Sequence, residues 1–382
     1  MIRLRQYPRR VFFRRASVSS KSPLKCKVIA HRGASGRLPD HTLAGYEAAF
    51  NTGCDFIEID AHATADGELV ANHDIELSET TDVSEWAWAR DRNTRVVAKC
   101  YDGEEDQMEG WMIPDFTLEE LKRLRVKMRS SGRDQQYNLK FSIPTVAETC
   151  ELVQKLVDDI KRASDAKGKT WDKTEWLQER NKYTLSHGHS RGNLNVGLYI
   201  ETKRPSWYRG IGLPLEENLV KTVGASSFSG PVIIQSFEDD SLRRIRELKP
   251  EWPRVRLLTD EVGDLLADGT IGEYLDFVKH DLKADGIGPW KGNIISDPTE
   301  PPDRSVLVDE AHRRGLFVHP YTFRSDVLDL DLVYGGNASQ EFSRFFDLGV
   351  DGVFADFPSH AVFARELYNR AKMEGHDLTF KF

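Results

Sequence analysis

The chain has 382 residues, of which 39 % are apolar and 30 % are charged, and its formal net charge is −8 at pH 7. This length accommodates either one large α/β barrel or two ordinary domains. The acidic balance argues against nucleic acid as a partner, and no apolar run approaches the roughly 20 residues of a transmembrane segment. The scattered cysteines argue against a disulfide framework; they are Cys26, Cys54, Cys100 and Cys150.

Residues 1–25 have the composition of a basic leader. Met1 to Ser22 is rich in arginine and serine, and the first acidic residue of the chain is Asp40. This pattern is typical of organellar transit peptides, so we expect a disordered or targeting leader and a mitochondrial or cytoplasmic protein. Arg9-Arg10 resembles a twin-arginine signal, but no apolar core follows it. Residues 26–382 are expected to form one barrel domain.

The first two predicted strands end in polar side chains. Val28 to Ala30 runs into His31-Arg32-Gly33, and a second apolar run, Phe56 to Asp60, contains two acids. Because side chains alternate along a strand, Glu58 and Asp60 share one face with Phe56, whereas Ile57 and Ile59 share the other. Two such close carboxylates repel each other unless a divalent cation binds between them, and oxygen ligands favour Ca²⁺ or Mg²⁺. The alternative for this pair is a solvated strand edge.

Two histidines and an arginine strengthen the case for a catalytic site. The Arg32 guanidinium suits phosphate oxygens, and Gly33 permits a sharp turn or a close approach to a ligand. A third apolar run, Leu69 to Asn72, is followed by His73. Two imidazoles and a cation are what phosphodiester cleavage requires: a base for the nucleophile, an acid for the leaving oxygen and a countercharge. The alternative for a single histidine is a structural role.

The next segments predict helices and one irregular connection. Thr42 to Phe50 has helical apolar spacing and ends before Gly53. Asp66-Gly67 predicts a hairpin turn that is too short for a helical crossover, so Leu69 to His73 is the irregular strand of the set. Residues 80–107 show no sustained period and predict a long loop or a small excursion. Capping boxes that begin at Thr117 and Thr145 predict two further helices.

A charged stretch interrupts the pattern before the next strand. Residues 161–195 are polar and predict a surface insertion, in which His187 and His189 read as parts of a solvated loop or as ligand contacts. The following strand places Glu201 and Lys203 on one face. We expect Glu201 to be a third carboxylate ligand of the cation and the Lys203 ammonium to bind phosphate. The alternative is that the two side chains form a structural ion pair.

Strands and helices alternate through the rest of the chain. Helical stretches at 241–248, 306–314 and 342–348 separate apolar runs at 232–235, 255–258, 284–288, 316–319 and 352–356. This alternation predicts a parallel sheet, and polar groups after the strands favour a closed (β/α)₈ barrel, here an irregular one with a surface insertion. Nine candidate strands are one more than such a barrel needs. An open doubly wound sheet is the alternative, but no Gly-x-Gly-x-x-Gly follows a strand.

Nine short motifs, in order, resemble the signatures of the glycerophosphodiester phosphodiesterase family, in particular its larger periplasmic-type branch and eukaryotic counterparts. The resemblance runs from about Val28 to the C-terminus. The motifs are His31-Arg32-Gly33-Ala34-Ser35-Gly36, Glu58-Ile59-Asp60, His73-Asp74, Thr80-Thr81-Asp82-Val83, Glu201-Thr202-Lys203, Gln235-Ser236-Phe237, Ala284-Asp285-Gly286-Ile287-Gly288-Pro289, His319-Pro320-Tyr321-Thr322-Phe323-Arg324-Ser325-Asp326 and Asp356-Phe357-Pro358.

The resemblance implies a phospholipase-C-like barrel that hydrolyses small glycerophosphodiesters to sn-glycerol 3-phosphate and an alcohol with one divalent cation, Ca²⁺ or Mg²⁺. By matched position it makes His31 and His73 the acid–base pair, and it assigns the phosphate to Arg32 and Lys203. Glu58, Asp60 and Glu201 would hold the metal. Such an enzyme belongs to glycerophospholipid and glycerol metabolism.

The chain departs from the family pattern at three places. Asp40 stands where the family usually has glutamate, Ala355 where threonine is common, and Tyr199-Ile200 replaces an approach to Glu201 that contains proline. These changes leave the candidate ligands in place and alter the contacts that orient them.

Two other functions remain as alternatives. A phospholipase-type barrel that acts on membrane lipid would need an exposed apolar rim, for which Trp86, Trp88, Trp207 and Tyr208 are the candidates. A negative net charge is a poor match for an anionic membrane. A binding module on the same barrel would be expected to lack an imidazole or a metal carboxylate, yet all are present.

Overall fold

The structure, a computed structural model, describes residues 25–99, 105–165, 193–259, 261–299, 303–326 and 329–374. The basic leader up to residue 24, Cys100, and most of the predicted insertion, with His187 and His189, lie outside the described residues. The beginning of the predicted insertion, residues 161–165, is the last part of a long helix.

Eight parallel strands form the predicted barrel, which confirms the (β/α)₈ fold. Backbone hydrogen bonds between Phe323 and Phe354, and from Phe354 to Pro320, link the last two strands and nearly close the ring. In order around the barrel the strands are β1 (Lys27–Ala30), β2 (Phe56–Ala63), β6 (Gly197–Thr202), β7 (Val232–Ser236), β8 (Arg254–Leu257), β9 (Gly286–Gly288), β10 (Phe317–Val318) and β11 (Gly352–Ala355).

The ninth candidate strand is not part of the barrel. This strand, β3 (Leu69–Ala71), pairs antiparallel with the end of β2. Gly67 takes a left-handed conformation (φ +81°) in the turn between them, which glycine adopts readily because it has no Cβ. The sequence prediction that this strand is the irregular one is therefore confirmed.

Helices follow most barrel strands and cover the outside of the ring. The Thr42 hydroxyl caps the first helix by accepting a hydrogen bond from the Gly45 amide, and Gly53 ends it in a left-handed conformation. The helices are α1 (Leu43–Thr52), α2 (Leu118–Leu121), α3 (Val146–Asp165), α4 (Pro205–Gly210), α5 (Leu215–Ala225), α6 (Asp239–Leu248), α7 (Glu261–Ala267), α8 (Ile271–Asp276), α9 (Val306–Arg313), α10 (Ala338–Asp347) and α11 (Pro358–Glu374). Within the described ranges, no helix combines the length and the apolar character that crossing a bilayer requires.

The apolar residues of the barrel form an inner and an outer layer. Phe56 belongs to the cluster inside the ring, together with Tyr199 and Phe354. Ile57 and Ile59 belong to the cluster between the strands and the helices. This division confirms the alternation predicted for β2, and it leaves Glu58 and Asp60 on the inner face above Phe56.

The described residues between 74 and 143, which we call the excursion, form a small unit with its own apolar core between β3 and α3. Its core includes Phe116, Leu121 and Val126. The sequence predicted a loop or excursion here but missed a two-stranded hairpin, β4 (Thr94–Lys99) with β5 (Glu105–Gly110). The capping box at Thr117 is present, but the helix it begins, α2, is a single turn.

Candidate active site

All seven predicted site residues line one cavity at the C-terminal ends of the barrel strands. This cavity, which we call the active-site cavity, has a volume of about 390 Å³. C-terminal strand ends are where (β/α)₈ barrels carry their reactive groups. The seven residues are His31, Arg32, Glu58, Asp60, His73, Glu201 and Lys203.

The first candidate histidine is held by an aspartate from the other end of the chain. His31 Nδ1 lies 2.6 Å from Asp356 Oδ1. An ionised carboxylate only accepts hydrogen bonds, so Nδ1 carries the proton and Nε2 is the nitrogen available to a substrate. Burial lowers the pKa of His31, helped by the Arg32 charge and opposed by Asp356. A neutral imidazole of this tautomer is competent as a general base.

The second candidate histidine repeats the arrangement. His73 Nδ1 lies 2.6 Å from Asp74 Oδ1, which again leaves Nε2 for the substrate. Burial lowers the pKa of His73, and the charges of Arg32 and Lys203 add to the effect. The side chain is 29 % exposed, against 11 % for His31, so His73 is the more open of the two to solvent.

The guanidinium of Arg32 has one nitrogen, Nη1, that is fixed by a hydrogen bond and another, Nε, that has no hydrogen-bond partner among the described residues. Its Nη1 donates to Asp40 Oδ2 at 3.0 Å, and its backbone amide donates to Glu58 Oε2 at 2.7 Å. Its Nε is buried and has no hydrogen-bond partner among the described residues; the nearest Asp60 oxygen is 3.6 Å away. An unpaired donor in this cavity suits a phosphate oxygen.

Three buried carboxylates and one ammonium lie next to Arg32. Asp60 on β2 and Glu201 on β6 are register partners in the sheet, and Lys203 Nζ is 2.9 Å from Glu201 Oε1 and 3.8 Å from Asp60 Oδ1. Burial raises the pKa of Glu58 well above its ordinary value, and the nearby Asp60 charge adds to the rise. Burial also raises the pKa of Glu201 to about 8, despite Lys203.

Asp60 differs from the other two acids because it has two basic neighbours. Burial raises its pKa, but the Lys203 charge and a hydrogen bond from His41 outweigh that effect and hold the pKa well below its ordinary value. His41 Nε2 lies 2.8 Å from Asp60 Oδ2, and His41 Nδ1 lies 2.8 Å from the hydroxyl of Tyr46. His41 is therefore a site residue that the sequence analysis did not single out. Its only signal was its place directly after Asp40, one of the departures from the family pattern, since it lies in a loop without periodicity.

The donor set fits a hard divalent cation. Ligand atoms of His41, Glu58 and Asp60 lie within 4.8 Å of one another. Glu201, the third predicted ligand, is not part of this group and lies against Lys203 instead. The buried Oε1 of Gln235 has no hydrogen-bond partner among the described residues, while its Nε2 donates to Glu58 Oε1 at 3.3 Å. Crowded carboxylates, one of them pushed toward its neutral form by burial, together with an unpaired amide oxygen, are the groups that bind Ca²⁺ or Mg²⁺.

The three departures from the family pattern all touch the site or its support. Asp40 accepts from Arg32 and thereby orients that guanidinium. Tyr199 lies inside the barrel with its hydroxyl 3.1 Å from His319 Nδ1. Ala355 is fully buried on β11 and pairs in register with Ala30 of β1, directly before His31.

The exposed aromatic rim that the membrane-lipid alternative would need is not formed by its four candidate residues. Tyr208 is fully buried, with its hydroxyl 3.0 Å from His62 Nδ1, and Trp88 packs edge-on against Phe116 within the excursion. Trp207 is partly buried against the main core, and Trp86 is the only one of the four that is exposed. Three of the four aromatic residues that the membrane-lipid alternative needs at the surface are therefore packed against the protein interior.

Comparison with known proteins decides the family. The family model described as "Glycerophosphoryl diester phosphodiesterase family" matches residues 31–360. The chain belongs to this family. It is accordingly a phosphodiester hydrolase of the glycerophosphodiester phosphodiesterase type, which confirms the resemblance seen in the motifs.

Individual relatives agree over nearly the whole length. A glycerophosphodiester phosphodiesterase of Arabidopsis thaliana is 32 % identical over 90 % of this chain and 87 % of its own. A Bacillus subtilis enzyme of the same name is 28 % identical over 88 % of this chain and 85 % of its own.

Solved structures share the fold at lower identity. A phosphodiesterase of Oleispira antarctica, solved in complex with its product sn-glycerol-3-phosphate, superposes with a TM-score of 0.55 at 20 % identity, over 89 % of this chain and 96 % of that one. A structure described as a glycerophosphoryl diester phosphodiesterase, from Silicibacter pomeroyi, gives a TM-score of 0.59 at 18 % identity, over 94 % and 97 %.

Proposed function

We propose that this enzyme hydrolyses small glycerophosphodiesters, such as glycerophosphocholine or glycerophosphoethanolamine, to sn-glycerol 3-phosphate and an alcohol. The observation that carries the proposal is the matched pair of imidazoles: His31 and His73 each bind an aspartate through Nδ1 and keep Nε2 for the same cavity. One imidazole takes a proton from the nucleophile, which is water or the substrate's own 2-hydroxyl. The other must carry a second proton, on Nε2, in the substrate complex, where the charge of the phosphodiester favours the imidazolium, and it gives that proton to the departing alcohol oxygen.

Phosphate binding is assigned to Arg32 and Lys203. The unpartnered Arg32 Nε is a donor for a non-bridging oxygen, and its position is fixed because Asp40 holds the other end of the guanidinium. Lys203 contributes positive charge beside Glu201. Both cations are nearly buried, with side chains 12 % and 8 % exposed, so their attraction for phosphate is weakly screened by solvent.

Glu58, Asp60 and Glu201 are the proposed ligands of one divalent cation, Ca²⁺ or Mg²⁺. When bound, such an ion supplies positive charge for the phosphoryl oxygens. His41 fixes the Asp60 carboxylate through its hydrogen bond, and Gln235 fixes Glu58. Both contacts limit the rotation of the carboxylates and so keep their oxygens directed into the active-site cavity.

The test is the release of sn-glycerol 3-phosphate from glycerophosphocholine, followed with a coupled dehydrogenase in added Ca²⁺ or Mg²⁺ and in chelator. His31→Ala and His73→Ala should each lower turnover by about 10²–10⁴, the usual contribution of a positioned acid or base. His312→Ala is the matched control, because His312 pairs with Asp351 on the surface. Near wild-type turnover in both site variants would refute the assignment, and turnover unaffected by chelator would refute the metal requirement.

A further inference from the structure

Within the excursion, a loop at residues 127–138 faces the barrel and is fixed at its base. The Val126 amide donates to Phe141, the Leu139 amide donates back to Val126, and the Lys127 amide donates to Thr80. The Asn138 side chain accepts from the Met128 amide at 2.9 Å, which closes the loop on itself. A loop so anchored presents its side chains at defined positions. Two of them, Arg129 and Arg133, reach the aspartates behind the candidate catalytic histidines.

Arg133 lies behind His31. Its Nη2 donates to Asp356 Oδ2 at 2.5 Å, on the carboxylate whose other oxygen binds His31. Its Nε and Nη2 also donate to the two oxygens of Asp326, and its Nη1 donates to the Ser35 carbonyl. The side chains of Arg133 and Asp356 are 8 % and 5 % exposed. The buried Arg133 guanidinium thus links, by hydrogen bonds, three chain segments that are distant in sequence, at Ser35, Asp326 and Asp356.

Arg129 occupies the equivalent position behind His73. Its Nη1 donates to Asp74 Oδ2 at 2.9 Å, and the other oxygen of Asp74 binds His73. Its Nη2 donates to Asp40 Oδ2 at 3.1 Å, the same oxygen that accepts from Arg32. The pair of Arg129 and Asp74 is more open, with side chains 29 % and 36 % exposed.

We propose that Arg129 and Arg133 are positioning residues, each of which holds the aspartate that orients one histidine of the acid–base pair. The inference rests on the proposed roles of His31 and His73. By this arrangement one loop of the excursion, outside the barrel, sets the geometry of both imidazoles. Arg129 additionally joins the His73 side of the site to the phosphate-binding Arg32 through Asp40.

The physical reason lies in what each aspartate does without its arginine. A buried carboxylate that loses a hydrogen-bonded charged partner either rotates toward another donor, which for Asp356 is Arg324 Nε at 3.5 Å, or takes up a proton. In both cases Asp356 Oδ1 stops being a fixed acceptor for His31 Nδ1, and the tautomer and ring orientation of the imidazole are no longer selected. Water replaces a lost partner more easily at Asp74, so the Arg129 effect on turnover is the smaller of the two.

The experiment compares Arg133→Met, Arg133→Lys and Arg129→Met with the wild type in the glycerophosphocholine assay. Arg133→Met should lower kcat by about 10–100-fold, the usual effect of losing a group that orients a reacting residue, and leave KM nearly unchanged. Arg133→Lys should recover part of the loss, because an ammonium keeps the charge but not the bidentate reach. Arg129→Met should lower kcat less and raise KM, through Asp40 and Arg32.

Arg125→Met is the matched control, because among the described residues the Arg125 side chain of the same excursion donates only to the nearby carbonyls of Lys122, Arg123 and Leu124. A double-mutant cycle separates positioning from general destabilisation: in the Asp356→Asn background, Arg133→Met should cause little further loss of kcat. If Arg133→Met does not fold, the same double-mutant cycle is measured with Arg133→Lys in place of Arg133→Met.

The outcomes distinguish this inference from the proposed function. If His31→Ala is inactive while the Arg133 variants match Arg125→Met in kcat, the positioning role is refuted and the acid–base assignment stands. Losses that multiply in the Asp356 cycle also refute it, because Arg133 then acts by another route. If His31→Ala and His73→Ala keep wild-type turnover, the acid–base assignment on which this inference rests is wrong, whereas a wild type that releases no sn-glycerol 3-phosphate would contradict the proposed function.

Discussion

At the residue scale, several buried histidines are kept neutral by their surroundings. His62 lies on β2 with its Nε2 3.3 Å from the carbonyl of His73, so this nitrogen carries the proton. Its Nδ1 then accepts from the Tyr208 hydroxyl. Burial lowers the pKa of His62 to about 3, and the Lys203 charge adds to the shift. The imidazole therefore acts as an uncharged linker that holds the backbone of the His73 loop.

The same physics predicts a pH dependence of stability at His319. Burial lowers the pKa of His319 to about 4, against 6.5 for the free side chain. Between these values the unfolded chain binds a proton that the native protein excludes, so the native state loses stability as the pH falls. The contribution of one such group reaches about 1.4 kcal/mol per pH unit. We expect the stability advantage of the wild type over His319→Asn to shrink from pH 6.5 toward pH 4.5.

Denaturant unfolding of both proteins over that range measures the effect, because the other buried histidines contribute equally and cancel. His312→Asn is a control in which the pH dependence has the opposite sign. The hydrogen bond with Asp351 raises the pKa of His312. The contribution of His312 to the free energy of unfolding is therefore full at low pH and declines as the pH rises through the raised pKa. A gap between wild type and His319→Asn that stays constant with pH would contradict the prediction.

The candidate site could be predicted from the sequence where its residues end a strand. Glu58 and Asp60 followed from alternation along β2, and Glu201 from the same rule on β6. The residues that orient the candidate histidine His31 could not be predicted as its partners. Arg133 and Asp356 are 223 residues apart, and only the folded barrel brings the excursion next to the loop after β11. No local pattern encodes such a contact.

At the element scale, the ends of α1 are set by side-chain chemistry that the sequence already displays. The Thr42 hydroxyl accepts from the Gly45 amide at 3.1 Å and donates to the Pro39 carbonyl at 3.0 Å. One oxygen thus caps the helix and holds the loop that carries Asp40 and His41. The cap therefore links the stability of α1 to the geometry of the site.

Replacement of Thr42 by valine should destabilise the protein. Valine keeps the shape of threonine but leaves the Gly45 amide, which is buried, without its partner. We expect the free energy of unfolding to fall by about 1–2 kcal/mol, the usual cost of a lost N-cap. Thr42→Ser, which keeps the hydroxyl, should recover most of it. Equal unfolding free energies for Thr42→Val and the wild type would show that the cap contributes nothing.

Prediction of the elements succeeded where periodicity or capping was strong and failed where tertiary packing decides. The eight barrel strands and the irregular β3 followed from apolar runs and turn lengths. The hairpin of β4 and β5 did not. β4 contains threonine and two valines but shows no sustained apolar alternation, and β5 is rich in residues that are depleted in strands. The capping box at Thr117 correctly marked where α2 begins, but nothing local indicated that the chain turns away after one turn to enter the excursion core.

At the scale of the whole molecule, barrel closure concentrates charge. Adjacent strands β2, β6 and β7 place Asp60, Glu201 and Gln235 side by side in register, with Glu58 one layer below Asp60. Burial of three carboxylates there opposes folding unless positive charge compensates them. Lys203 and Arg32 supply part of that charge, and the raised pKa values of Glu58 and Glu201 show that the compensation is incomplete.

This incomplete compensation predicts that the sign of the Glu58→Gln effect on stability depends on the cation. Glutamine keeps the oxygen that accepts from the Arg32 amide but removes one repelling charge. In chelator at pH 8, Glu58→Gln should therefore raise the melting temperature above that of the wild type. With Ca²⁺ or Mg²⁺ the order of the two melting temperatures should reverse. A ligand at 100 times its Kd stabilises the native state by about 2.7 kcal/mol. The wild type gains this stabilisation, whereas Glu58→Gln binds the cation more weakly because it has lost the charge of one ligand.

Thermal unfolding of both proteins in chelator and across a cation titration measures the reversal without any enzymatic readout. Glu47→Gln on the exposed side of α1 is the control for general screening of the acidic surface, and its melting temperature should follow the wild type throughout. Parallel curves for Glu58→Gln and the wild type would place the cation elsewhere. A wild type that is already the more stable protein in chelator would mean that Lys203 and Arg32 neutralise the carboxylates by themselves, in which case the barrel needs no cation to fold around them.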